Sequence, residues 1–148
     1  MQQNAAEVIL ALGRTMPDAQ ALHAADDAGL VRIWSYGELD RLVLQTQGAL
    51  QRSGVQRGDR ILIGLKDSAH FCAAVLGAMR AGAVAIPVNS RLRTEDYAFM
   101  IGDARPRLVL VDPELTALLE AAQLASDLRI ATTSAWVAAV ADAPMAAD

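Results

Sequence analysis

Cysteine, histidine and aromatic side chains are all scarce in this chain, and each scarcity removes a class of function. One cysteine among 148 residues excludes an internal disulfide framework and fits a reducing compartment. That thiol, Cys72, falls on an apolar helical stripe with no histidine on the same face, which reads as a buried structural residue rather than a nucleophile. The two histidines, His23 and His70, have no carboxylate or thiol at a ligand spacing, so no metal site can be assembled from them. At 4% aromatic, the apolar content is aliphatic and alanine, which suits packed α/β layers better than a sandwich or an aromatic-lined binding platform. An excess of basic residues is also lacking. The net charge of −4 and the pI near 5.1 leave no cluster to displace counterions from nucleic acid, which is excluded as a partner.

No basic leader precedes an apolar run and cleavage site, so no secretory signal is expected and the location reads as cytoplasmic. Residues Ala69 to Val88 have roughly membrane-spanning length, but Arg80 falls among them, where a charge costs about 3 kcal/mol at bilayer depth. Pro87 and the Ala81-Gly82 break fit a turn into a strand better than a span. The mean hydropathy of +0.25 is high for a soluble domain. Either part of the surface is covered by something else, or the composition is simply alanine-rich.

What is present is α/β patterning. Ile61 to Leu65 is a short apolar run of the kind buried on both faces of a sheet, and Ser68 offers a helix start behind it. Phe71, Cys72, Val75, Leu76 and Met79 then recur at helical spacing, Gly82 stands where a left-handed C-cap is wanted, and Ala83 to Val88 is a second apolar run. Strand, helix and strand make a βαβ unit. Upstream, a short helix is expected over Ala5 to Leu12, ended by Gly13, followed by a hairpin from Gln20–Ala24 and Leu30–Trp34. Asp26 and Asp27 between those strands read as a solvated turn, not a metal site. Ser35-Tyr36-Gly37-Glu38 is a capping box, opening a helix with Leu39, Leu42, Val43, Thr46, Ala49 and Leu50 on one face. Downstream come a helix from Thr94 to Gly102 burying Tyr97, Met100 and Ile101, a strand over Arg107 to Val111, and a helix from Asp112-Pro113 to Leu124. A last strand is expected over Leu128 to Ala131. Residues 132–148 read as a linker or a cut edge, with one candidate helical stretch at Trp136 to Val140.

The alternation implies a doubly wound, mostly parallel sheet with helices on both faces and a small N-terminal hairpin. Ligands in such sheets gather beyond the carboxyl ends of the strands, which points to the loops after Leu65, Val88 and Val111. Chemistry at those loops is thin. Gly77 and Gly82 have the spacing of a phosphate loop's outer glycines, but Ala83 stands where its lysine is needed and both close a helix. Ser68, Ser90 and Ser134 have no neighbouring base. Arg91 and Arg93 could meet an anion but read more simply as a solvated pair, and Arg57-Gly58-Asp59 as a turn. No catalytic set and no metal site emerge.

Two segments taken together carry a family resemblance. Trp34-Ser35-Tyr36-Gly37-Glu38-Leu39 resembles the first core motif of the AMP-forming adenylate-forming enzymes, the superfamily of acyl-CoA synthetases and peptide-synthetase adenylation domains. Met79 to Asn89, MRAGAVAIPVN, resembles the second, and Gly54 to Ile61 is similar to the turn and strand between them. Asn89 after Pro87-Val88 resembles the acyl- and aryl-CoA ligases more than the amino-acid-activating domains.

The resemblance implies a ligase that joins a carboxylic acid to AMP, using ATP and magnesium, and passes the acyl group to coenzyme A. Ser35, Tyr36, Glu38, Gly82, Pro87 and Asn89 would then be structural residues of the first lobe. The family's phosphate-gripping loop and its later catalytic residues have no counterpart here, so residues 1–148 are expected to be one truncated N-terminal subdomain. Alone it would be inactive and would bind no cofactor. Its partner would be the remainder of the ligase chain, with homodimerisation through exposed apolar surface as a corollary. The alternatives are a stand-alone, non-catalytic interaction module derived from such a ligase, and an unrelated small doubly wound domain.

Overall fold

A computed structural model describes residues 4–26, 28–89, 91–126 and 128–146. Asp27, Ser90 and the last two residues of the expected linker lie outside the described residues. Helix α1 (Ala5–Thr15) leads into strands β1 (Gln20–Ala25) and β2 (Val31–Ser35), which pair antiparallel as a hairpin. Then follow α2 (Tyr36–Arg52), β3 (Arg60–Gly64), α3 (Ala69–Arg80), β4 (Val84–Pro87), α4 (Thr94–Ala104), β5 (Leu108–Val111), α5 (Pro113–Ala121), β6 (Ile130–Thr132) and α6 (Thr133–Ala141). The four later strands form one parallel sheet in the order β4-β3-β5-β6. This is the doubly wound arrangement that the alternation of elements implies.

Strand alternation divides the core in two. Ile61, Ile63, Leu108 and Leu110 face the larger cluster under α2, α3 and α6, with Leu10 of α1 and Trp136 of α6 inside it. Leu62, Val109 and Val111 face the other side, against Tyr97 of α4 and Leu115 and Leu119 of α5. Edge strand β4 receives its proline without loss. Val84 and Val88 donate backbone hydrogen bonds to Asp59 and Ile63 of the β3 segment (2.7 and 2.9 Å), so alternation turns the position of Pro87 outward, where no N–H is needed.

Local signals explain where most helices begin and stop. Ser35 accepts from the Glu38 amide at 3.2 Å while the Glu38 carboxylate accepts from the Ser35 amide at 2.9 Å, so both bonds of the capping box are made. Gly54 and Gly82, at φ 74° and 73°, close α2 and α3 with paired bonds back into the last turn. Helix α5 ends the same way without glycine. Gln123 takes φ 58°, its amide bonds to the Glu120 carbonyl, and the Leu124 amide bonds to the Leu119 carbonyl. This is why the helix stops at Ala121 instead of running to Leu124.

Four further expectations are corrected. Helix α1 passes through Gly13 to Thr15, because Gly13 serves a helix crossing: a Cβ there would sit 2.6 Å from Cβ of Asp40 on α2. The expected face of α3 is only half-buried at Phe71, Cys72, Val75 and Leu76, whereas Ala69, Ala73, Ala74, Gly77 and Ala78 are buried. Both faces of this helix are apolar, and the small one allows close approach to α2. Helix α4 buries Tyr97 alone, with Met100 and Ile101 half-exposed to the smaller core's rim, and Arg93 is its N-cap. Finally, within the stretch 132–148 expected as a linker or cut edge, the candidate helix at Trp136 to Val140 is present as α6 and is packed rather than free, with Trp136 and Val140 2% and 1% exposed. Beyond it Pro144 lies against Gly48 of α2, and the Ala146 amide bonds to the Leu44 carbonyl at 3.2 Å. The apolar spacing of Trp136 and Val140 at i and i+4 is what fastens this segment.

Candidate functional site

The crossover from β3 runs through α3 on one face of the sheet, while that from β5 runs through α5 on the other. Their neighbouring carboxyl ends therefore diverge and open a crevice, the topological switch point of the sheet. The crevice holds about 430 Å³ and is lined by Leu65 to Ser68, by Asp112 to Glu114, by Thr133, and by Ala25 and Asp26 of the hairpin. The loops after Leu65 and Val111 thus meet there. The loop after Val88 does not, because β4 stands on the far side of β3.

Asp112 occupies the middle of this crevice and is 7% exposed. One carboxylate oxygen accepts from the Lys66 backbone amide at 2.7 Å, and the other accepts from the Thr133 hydroxyl. The Asp112 carbonyl receives the Leu115 and Thr116 amides of α5, both at 3.1 Å. A single residue therefore ties together the loops that leave β3, β5 and β6. Its side chain leaves the first amides of α5 alone, where Pro113 removes one donor. Ser68 caps α3 instead, accepting from the Phe71 amide at 3.1 Å.

Beside the crevice, a groove of about 570 Å³ separates the hairpin from the first turn of α3. His70 lines it. Burial is the main cause that holds its imidazole below the ordinary value, and the charge of Arg32 adds to this. Its Nδ1 is buried with no partner among the described residues. Arg32 lies over the Trp34 ring at 3.7 Å. Cys72 is half-buried in a smaller groove with His23 and Asp67, where burial first and the Asp67 charge second push the thiol up, away from the thiolate a nucleophile needs.

The six motif residues fall into two places. Ser35, Tyr36 and Glu38 form the junction of β2 with α2, where the Tyr36 amide also donates to the Ala19 carbonyl at 2.9 Å and Glu38 meets Arg32 at 3.5 Å. Gly82, Pro87 and Asn89 bracket β4. The Asn89 side chain accepts from the Arg91 amide at 2.8 Å, and its carbonyl accepts the Tyr97 hydroxyl at 2.6 Å, which turns the chain from β4 into α4. Two residues of consequence escaped the sequence reading. Asp112 looked like a helix start only, and Arg80 like a charge in an apolar stretch. Arg80 is in fact 7% exposed in its side chain, pairs with Glu7 of α1 at 2.8 Å and donates to Gln47 of α2 at 2.7 Å.

The crevice does not fit a nucleotide triphosphate or its magnesium. The loop after β3 is Leu65-Lys66-Asp67-Ser68, with no glycine-rich run, and Asp112 and Asp67 add negative charge. Gly64, the glycine at the strand end, faces packed side chains: a Cβ there would lie 2.6 Å from Cδ2 of Leu115, which would have to shift. Among the described residues no group of three or more His, Cys, Asp or Glu side chains is placed to hold a metal ion. No helix among them is long and apolar enough to cross a membrane.

Comparison with known proteins adds what the crevice alone does not. The sequence profile of the family described as "AMP-binding enzyme" matches residues 11–147. The chain belongs to this AMP-binding enzyme family. It is 42% identical over 107 residues to a 3-hydroxybenzoate–CoA ligase of Aromatoleum sp. (strain CIB), a match that covers 70% of this chain and 20% of the relative. It is 38% identical over 113 residues to a 4-hydroxybenzoate–CoA/benzoate–CoA ligase of Rhodopseudomonas palustris, covering 76% and 20%. Among solved structures, a benzoate CoA ligase from Burkholderia xenovorans LB400 superposes at a TM-score of 0.82 with 26% identity, covering 99% of this chain and 30% of that one. The N-terminal domain of FACL13 from Mycobacterium tuberculosis superposes at 0.86 with 20% identity, over 97% of this chain and 37% of that one, and so shares the fold. The chain spans about a fifth of the length of the curated relatives it matches.

Proposed function

We propose that this member of the AMP-binding enzyme family supplies the first sheet-bearing lobe of an AMP-forming aryl- or acyl-CoA ligase. The complete enzyme joins a carboxylic acid to AMP at the expense of ATP with magnesium, then transfers the acyl group to coenzyme A. An aromatic acid of the benzoate or hydroxybenzoate class is the substrate we favour, because the two relatives described above are ligases for such acids. The single observation that carries the reading is the match across residues 11–147 to a family whose relatives here are CoA ligases, the matched segment making up about a fifth of their length.

On this reading the lobe alone, residues 1–148 as one unit, is catalytically silent. Transfer of an adenylyl group needs donors positioned on the phosphates, and the crevice at the switch point presents Asp112 in their place. The remainder of the ligase polypeptide is its partner. The test is carboxylate-dependent ATP–pyrophosphate exchange with the purified chain, using benzoate and 3-hydroxybenzoate. No exchange above background is expected. Exchange that depends on the acid would refute the silent lobe, and a complete ligase carrying this lobe that turned over only non-aromatic acids would refute the substrate class.

A further inference from the structure

The hairpin stands outside the parallel sheet. Ala21 and Leu22 of β1 and Trp34 of β2 pack half-buried on the larger core, while its far end, Ala25 and Asp26, lines two openings at once. One is the groove over the first turn of α3, the other is the crevice at the switch point, and Ser68 borders both. Lifting the hairpin from α3 therefore uncovers the crevice as well. His70 stands in the groove between them. It is the second residue of α3, and its Nδ1 is buried without a partner among the described residues. Arg32 of β2 lines the same groove. This guanidinium is held from two sides, 3.7 Å from the centroid of the Trp34 ring and 3.5 Å from the Glu38 carboxylate.

We propose that the hairpin is a proton-released flap, which covers the crevice while the His70 imidazole is neutral and lifts from α3 when the ring takes up a proton. Three effects act in one direction. An imidazolium carries a proton on both nitrogens, so an N–H is created at Nδ1, where no acceptor among the described residues faces it. The new charge stands in the first turn of α3, whose amide end repels a cation. It also shares its groove with Arg32. The carboxylates nearby are engaged elsewhere. Asp26 accepts the Ala28 and Leu30 amides at 2.9 and 2.8 Å, and Glu38 of α2 takes the Ser35 amide and Arg32. Asp67 lies in the adjoining smaller groove with His23 of β1, whose Nε2 meets Gln20 at 2.9 Å. Burial, and after it Arg32, accordingly hold the imidazole below its ordinary value, and no carboxylate is among the causes. Lifting the hairpin hydrates the ring and carries Arg32 away, so the open form binds the proton first. The preference for the closed form is complete above the ordinary histidine value near 6.5, and it is lost as pH falls through the closed form's lower value.

The test is amide hydrogen exchange of the full chain at about pH 7.5 and about pH 5, corrected for intrinsic rates, with the His70 ring titrated by NMR across the same range. Amides of β1 and β2 should lose protection at the lower pH, those of β3 and β5 should keep theirs, and the loss should follow the His70 titration. Glu38 does not imitate the effect, because the bond from the Ser35 amide is the main cause that holds its carboxyl below the ordinary value, and it stays ionised over this range. His70→Gln should abolish the acid loss, and His23→Gln should leave it unchanged. Arg32→Gln should raise the ring's titration point and shrink the loss. Full hairpin protection at the lower pH, a loss that persists in His70→Gln, or a loss shared equally by β3 and β5 would each overturn the proposal. Where His70→Gln already loosens the hairpin at the higher pH, the native chain decides alone: a hairpin transition that coincides with the His70 titration upholds the flap, and one that departs from it overturns it.

Discussion

Replacing Gly77 by alanine should change sign according to what stands at residue 46. A Cβ at Gly77 of α3 would meet Cγ2 of Thr46 on α2 at 2.7 Å and Cβ of Thr46 at 3.1 Å, and Thr46 is fully buried. Helix propensity alone favours alanine over glycine by about 1 kcal/mol. Overlap with a β-branched side chain that has nowhere to rotate costs about 1–3 kcal/mol. Gly77→Ala in the native background is therefore expected to destabilise by about 0–2 kcal/mol. Thr46→Ser deletes the methyl at 2.7 Å and costs about 1 kcal/mol for the small void. In that background the remaining 3.1 Å approach relaxes by a few tenths of an ångström, and Gly77→Ala should stabilise by about 0.5–1 kcal/mol. Urea unfolding of the four proteins reads the cycle. With a slope of about 2 kcal/mol per molar, the midpoint should fall by up to about 1 M in one background and rise by about 0.3–0.5 M in the other. An equal rise in both backgrounds would show that α2 and α3 do not interlock at this point, and would refute the small-residue packing assigned to α3.

The other expectations concern the joints between elements. Asp112→Ala leaves the Lys66 amide and the Thr133 hydroxyl without their acceptor and should cost about 2–4 kcal/mol, with faster amide exchange at Lys66 as the local signature. Arg80→Met should cost about 1–3 kcal/mol by freeing α1 from α2 and α3, whereas Glu7→Gln, at the exposed end of the pair, should move the urea midpoint little. Gly82→Ala, at a left-handed φ and with Cγ of Arg57 only 3.1 Å from the added Cβ, should cost about 1–2 kcal/mol in the same assay. Because the native imidazole of His70 is held below its ordinary value near 6.5, the unfolded chain binds its proton first. Its contribution is complete above that pH and is lost as pH falls through the native value. His70→Gln should flatten the fall of the urea midpoint below about pH 6.5, and an unchanged slope would show that the groove does not perturb the ring.

Signals that act within a few residues were legible, and those that depend on a distant partner were not. Ser35 and Glu38 satisfy each other three residues apart, and Gly82 needs only its own φ, so a capping box and a C-cap could be read from the chain alone. Gly13 looks the same in sequence as a helix stop, yet it is a crossing point, because the decisive neighbour is Asp40. The face of α3 was misread for a related reason. Periodicity weighs large side chains, while the buried side of that helix is set by how near α2 can come, and alanine and glycine govern that distance. Residues 142–146 carry no periodic pattern, yet Ala143 and Pro144 lie against α2 at Gly48.

Asp112 shows why the fold could be placed in a family before any site could be. In the chain it is an acid before a proline, a common way to open a helix. Its partners are the Lys66 amide and the Thr133 hydroxyl, which come from other crossovers and become neighbours only when β3, β5 and β6 lie side by side in parallel. A doubly wound sheet commonly turns free amides toward a ligand at this mouth. Here a buried carboxylate takes one of those amides and a hydroxyl for itself. The same bonds that hold three crossovers in register therefore occupy the Lys66 amide and the Thr133 hydroxyl, two donors that an anion at this mouth would otherwise meet.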